Sequence, residues 1–209
     1  MTRTHKLLAP WPAALSLLFV ITWIYLAINP YNRMDWLLEN LLVFLFVPLT
    51  IWGYMKNRIS TFSFTLIVIF LLFHAVGAHY TYSEVPFGHL VAKKLNWERN
   101  SYDRFVHLLS GLLLTVPFRE VLEGKIRTTR FGFAAILFCF MATLGVLYEI
   151  IEWATAAVVE PAAGTAFLGT QGDEWDAQKD IALKLLGTTI TLLLVIVYEK
   201  RRSRQHVTA

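Results

Sequence analysis

The stretch FSFTLIVIFLLFHAVGA, residues 62–78, runs seventeen residues without an Asp, Glu, Lys or Arg, and its one ionisable side chain, His74, stands near its end. At 1.5 Å of rise per residue, a helix of this length approaches the roughly 30 Å of a bilayer's hydrocarbon core. Similar apolar runs lie at about 11–28, 36–54, 102–118, 131–151 and 181–198. The fourth is long enough only if its helix begins near Tyr102 and takes Asp103 and His107 into its first turns. Helices are the economical reading, because an open sheet in lipid leaves backbone groups unpaired. The expected fold is therefore all-α: a polytopic membrane protein of about six transmembrane helices, with residues 1–209 forming a single integral membrane domain.

Composition supports this reading. Hydrophobic residues make up 56% of the 209 and charged ones only 16%, where a soluble domain carries about a quarter charged. The first run follows Arg3 and Lys6, and no small-x-small cleavage site precedes Asn29 and Pro30. It reads as an uncleaved span rather than a signal peptide. The one cysteine, Cys139, sits mid-run, so there is no intramolecular disulfide or Cys-based metal motif to expect.

The net charge of +4 is not gathered into a nucleic-acid stripe; the basic residues flank apolar runs. With six spans, one side holds twelve of them: Arg3, Lys6, Lys56, Arg58, Arg119, Lys125, Arg127, Arg130, Lys200, Arg201, Arg202 and Arg204. The other holds five: Arg33, Lys93, Lys94, Arg99 and Lys179, with Arg104 and Lys184 at helix beginnings. The positive-inside tendency then makes both termini cytoplasmic and turns the long connections, about 80–101 and 154–179, outward.

On this topology nearly all in-span polar residues fall at the outer helix ends. Asp35 and Glu39 open the second span, His74 and His79 close the third, Asp103 and His107 open the fourth, Glu149 and Glu152 close the fifth, and Asp180 opens the sixth. Ionisable groups are costly in hydrocarbon and turn toward a partner, a wet cavity or an ion. Plainer roles compete. Asp35, Asp103 and Asp180 suit the first turn of a helix, where Asn100 or Ser101 can also cap. Lys184, four residues after Asp180, suits an intrahelical ion pair, and His74 suits a hydrogen-bonded core.

Glu149 and Glu152 resist such explanations, because carboxylates at a helix C-terminus oppose the dipole. Three apart, they share a face and call for a shared proton or a cation between them. Asp103 and His107, four apart, also share a face, as a carboxylate orienting an imidazole or as two ligands of one ion. The connection 167–180 adds Asp173, Asp176 and Asp180 at helical spacings, without the spacing of an EF-hand. Oxygen ligands from Glu149, Glu152, Asp173, Asp176 and Asp180 suit magnesium, calcium or manganese; His79 or His107 would move the preference toward zinc. Motifs for nucleotide, dinucleotide or serine-hydrolase chemistry are absent from the chain. No nucleotide, flavin or haem is expected.

The segments His74 to Tyr82, Tyr102 to His107, Tyr148 to Trp153 and Gly169 to Asp180, in this order, resemble the YjdF-type bacterial inner-membrane family, a domain of unknown function, over roughly 34–198. The resemblance implies a multi-pass fold in the bacterial inner membrane and no particular activity. A shorter pattern, Asp103 with His107, Glu149 with Glu152 and Asp176 with Asp180, is similar to VanZ-like membrane proteins. The functional expectation is an enzyme acting on a lipid-linked or envelope substrate, with Asp103 and His107 as the acid–base pair and a divalent ion on the carboxylates. A non-catalytic membrane scaffold and a small-solute or ion transporter are the alternatives. The expected partners are membrane lipid and that substrate, not nucleic acid.

Overall fold

The computed structural model describes residues 7, 9–159, 164 and 167–207, and of residues 202–204, 206 and 207 the backbone alone. Arg3 and Lys6 lie outside the described residues. The described residues form seven helices and no strand: α1 (Pro10–Leu26), α2 (Arg33–Met55), α3 (Thr61–His79), α4 (Pro86–Leu95), α5 (Tyr102–Leu122), α6 (Arg130–Ala156) and α7 (Asp176–Val207).

Local chemistry sets the helix starts. Pro10 and Pro86 occupy the first turns of α1 and α4, where a missing N–H costs nothing. The Asn32 side chain accepts from the amides of Met34 and Asp35, Ser60 from Ser63, and Thr129 from Gly132. These satisfy donors that each helix start leaves orphaned. The fourth long helix does begin at Tyr102, its amide bonded to Asn100 Oδ1 at 3.1 Å. Asn100, not Asp103, thus supplies the capping oxygen here, and Asp103 follows in the first turn.

Five helices, α2, α3, α5, α6 and α7 as far as Arg201, are long and apolar enough to cross a membrane; α1, with 17 residues, is shorter. Their outward faces carry an apolar belt, including Leu17, Phe44, Leu147 and Leu194, each about half exposed or more. A soluble monomer does not tolerate so large a patch. The connection 80–101 is not simply a loop: it contains α4, about 15 Å long and too short to cross.

At the centre lies α5, packed on α7, α3 and α6, while α1 and α2 both lean on α3. The α5–α7 contact is backbone to backbone. A Cβ added at Gly111 would stand 2.0 Å from the Lys184 carbonyl oxygen, and one at Gly187 would stand 2.4 Å from that of Leu108. Leu15, Phe19, Val43, Ile67, Val68, Leu71, Leu114, Leu137 and Met141 fill the core between the helices. The bundle end opposite α4 is tied by Glu120, which accepts from Ser60 N at 2.6 Å and Ser60 Oγ at 2.8 Å, and by Arg119, paired with Glu123 and Glu199.

Candidate functional site

At the α4 end the helices bring their polar residues together. One ligating atom each from Asp103, His107 and Asp180 lie within 4.8 Å of one another. His107 Nε2 is 3.6 Å from Asp103 Oδ1 and 3.7 Å from Glu149 Oε1. Asp180 is 2% exposed. Its Oδ1, like Glu149 Oε1, is buried without a hydrogen-bond partner. Because α7 starts at Asp176, Asp180 sits a full turn inside the helix, level with the α5 pair rather than at a cap. Gly111 and Gly187 enforce this placement, since the close approach of α5 and α7 carries Asp180 toward His107.

A second layer flanks this group. The Tyr148 hydroxyl donates to Glu39 Oε2 at 3.4 Å, and its ring meets His107 edge-on with centroids 5.7 Å apart. His74 Nε2 lies 3.2 Å from the Glu39 backbone carbonyl, and its Nδ1 lies 2.5 Å from the Tyr82 hydroxyl. A carbonyl only accepts, so Nε2 carries the proton and Nδ1 takes the tyrosine's hydrogen bond. Burial pushes the Tyr82 phenol well above its ordinary value, which keeps it a donor. His74 is thus a hydrogen-bonded core residue joining α2, α3 and the following turn. Asp35, 1% exposed, has both carboxyl oxygens buried and unpartnered.

The carboxylates that the sequence grouped as one ligand set are divided. Asp173 pairs with Arg104, Lys179 and Arg99, and Asp176 with Arg99 and Arg104. Lys179, the Trp175 amide and Arg104 hold the Asp173 carboxyl well below the usual range. Glu149 stands beside His107, and Glu152, on the same α6 face, is 9% exposed. His79 lies apart from this group: its Nδ1 donates to the Leu26 carbonyl at 2.7 Å and ties the end of α3 to that of α1. Among the described residues Lys184 makes no ion pair within 4.0 Å, so the i,i+4 pair with Asp180 is not formed.

Arg99, Arg104 and Tyr148 were not singled out as site residues by sequence. The arginines counted only toward orientation, although a basic residue just before a span entered by Asp103 was a usable signal. Below the polar group a cavity of about 280 Å³ opens. His74, Tyr82, Asp103, His107, Ser110, Tyr148 and Lys184 line its polar part; Leu42, Leu45, Phe46, Leu114, Phe118, Leu144 and Leu147 are among its apolar walls.

The full-length pattern has relatives. Residues 11–201 match the family described as predicted membrane protein (DUF2238). The chain is 34% identical over 206 residues to the inner membrane protein YjdF of Escherichia coli (strain K12), covering 98% of this chain and 97% of that one. No solved structure matches. With nearly its whole length matched, the chain belongs to the predicted membrane protein family DUF2238.

Proposed function

We propose that this protein is a divalent-metal-dependent enzyme of the bacterial inner membrane, acting on a membrane-borne, lipid-linked substrate from the outer face. The observation that carries the reading is the convergence of Asp103, His107 and Asp180 within 4.8 Å, with a buried Asp180 oxygen left unpartnered. Ligands held 2.0–2.6 Å from one ion lie about 3–5 Å from each other, so the group fits after small side-chain adjustments. Two carboxylates and an imidazole suit zinc or manganese as well as magnesium. The ion would supply a Lewis acid and an acidified water at neutral pH. Glu149, whose Oε1 lies 3.7 Å from His107 Nε2 and outside the three-ligand group, would take the proton from such a water.

The orientation rests on the twelve-to-five distribution of basic residues, and the location is supported by the name of the E. coli relative. Both termini are then cytoplasmic, and α4 lies on the outer surface.

Metal analysis of the purified full chain tests the proposal. One divalent ion per chain is expected, together with stabilisation on adding that ion of about 2.7 kcal/mol at a hundredfold excess over its Kd. Asp180→Asn and His107→Gln should each lose both. A metal-free protein whose melting temperature is indifferent to magnesium, calcium, manganese and zinc would refute it.

A further inference from the structure

The cavity beneath the polar group has a shape that selects its occupant. Its walls on α5 extend from Asp103 to Phe118, fifteen residues or about 22 Å along the helix axis. Every charged or strongly polar lining residue is at the upper part of this length, and below Ser110 the α5 wall continues through Leu114 and Phe118. Water needs two to four polar partners to settle in a cavity, so the lower part suits hydrocarbon rather than solvent. At about 30 Å³ per small group, the whole 280 Å³ is an upper bound of roughly nine or ten groups, shared between a polar head at the top and a shorter alkyl segment below.

The cavity also has a side entrance. Helices α2 and α6 face each other across it, and they are not among the closely packed helix pairs of the bundle. They are joined at the polar end by the Tyr148–Glu39 hydrogen bond. Below that bridge, Leu45 and Leu147 line the cavity and are also 56% and 48% exposed, and Ile151, one turn toward the polar end of α6, lines it at 57% exposed. A residue that lines the interior and faces lipid marks an open seam between two membrane-crossing helices. At the upper end Lys184 presents a cation with no ion pair within 4.0 Å among the described residues.

We propose that the seam between α2 and α6 admits one hydrocarbon chain of a phosphate-bearing membrane lipid, which lies along Leu114 and Phe118 while its phosphate meets Lys184 and the Asp103–His107–Asp180 site. The phosphate half rests on the metal reading above, because an anion beside these carboxylates needs the ion as well as Lys184. The chain half stands on the cavity and the seam alone.

The test uses the full chain in phosphatidylcholine nanodiscs with phosphatidic acid carrying a photoreactive diazirine midway along one acyl chain. Adducts are mapped by peptide mass spectrometry, and bound metal is measured in the same preparation. Adducts at Leu114 and Phe118 are expected, with loss of both in Leu147→Trp, which blocks the seam at a lipid-facing position, and in Leu114→Trp, which fills the cavity. A diacylglycerol probe of equal chain length should label less, and Lys184→Gln or chelation should abolish that preference. Adducts confined to outward residues such as Leu17 and Leu18, or unchanged by both Trp substitutions, would overturn the chain site. Equal labelling by phosphatidic acid and diacylglycerol in metal-loaded protein would overturn the phosphate assignment. Labelling at Leu114 in a protein that binds no metal would instead refute the metal reading and leave the chain site standing.

Discussion

Replacing Gly111 with alanine tests the geometry on which the whole site depends. The new Cβ would stand 2.0 Å from the Lys184 carbonyl oxygen and 2.7 Å from the Thr188 amide nitrogen, both backbone atoms of α7. Ordinary contact begins at 3.4 Å, so α7 has to retreat by about 1.4 Å, because close-packed backbone cannot rotate away as a side chain can. Overpacking of this kind costs about 1–3 kcal/mol. At roughly 2–4 °C per kcal/mol for a chain of this size, the melting temperature in detergent should fall by about 2–12 °C. The same retreat draws Asp180 away from Asp103 and His107 by a distance that metal coordination, sensitive to about 0.2 Å, does not absorb. Gly187→Ala, whose Cβ would meet the Leu108 carbonyl at 2.4 Å, should behave alike. Gly145→Ala supplies the control: its nearest neighbour is Lys184 Cδ at 3.1 Å, the movable stem of a long side chain, so it should cost much less. Size-exclusion profiles and fluorescence-detected melting of the three variants decide the matter. If Gly111→Ala and Gly187→Ala melt with the parent, the backbone contact between α5 and α7 is wrong, and the convergence of Asp180 on His107 falls with it.

Other parts of the structure make separate predictions. Asp173→Asn should lower the melting temperature at neutral pH. Its carboxyl is held down first by Lys179, so the parent's advantage is fully present above the unfolded value of about 3.8 and shrinks only as pH falls below it; a melting series from pH 7 to pH 3 reads this, and a constant gap would refute it. Glu120→Ala removes the acceptor for Ser60 N and Oγ at the start of α3 and should cost about 0.5–2 kcal/mol, read as a lower melting temperature that Glu120→Gln partly restores. A cytoplasmic reporter fused after Ala209 should be active and a periplasmic phosphatase there silent, given the distribution of basic residues; an active phosphatase would invert the proposed outer face.

The helical membrane fold was legible because a bilayer imposes its length on the sequence, and apolar runs of that length leave few alternatives. The band of polar residues at one end of five helices was legible for the same reason, since depth follows from counting residues along each span. Partnership was not. Spacing within a helix places Asp103 and His107 on one face, but no local signal says that Arg99 will meet Asp176, 77 residues away, or that His79 will bond Leu26, 53 residues away. Those pairings follow from which helix lies beside which, and α5 against α7 is a fact of tertiary packing. The short helix α4 escaped for a different reason: Phe87, Leu90 and Leu95 alternate with His89, Lys93 and Lys94 in a segment too short to span, and such a segment resembles a connection. Packing also redistributes charge in a way that composition hides. Arg99, Arg104 and Lys179 neutralise Asp173 and Asp176 at the surface end. They leave Asp103, Asp180 and Glu149 around His107 with Lys184 as the basic lysine or arginine lining the cavity beside them. In a low-dielectric bundle, so uneven a group is sustained only by protons or by a bound cation. That imbalance, created by where two arginines fall, is the physical ground for seeking the ion at Asp103, His107 and Asp180 rather than along the acidic connection that precedes α7.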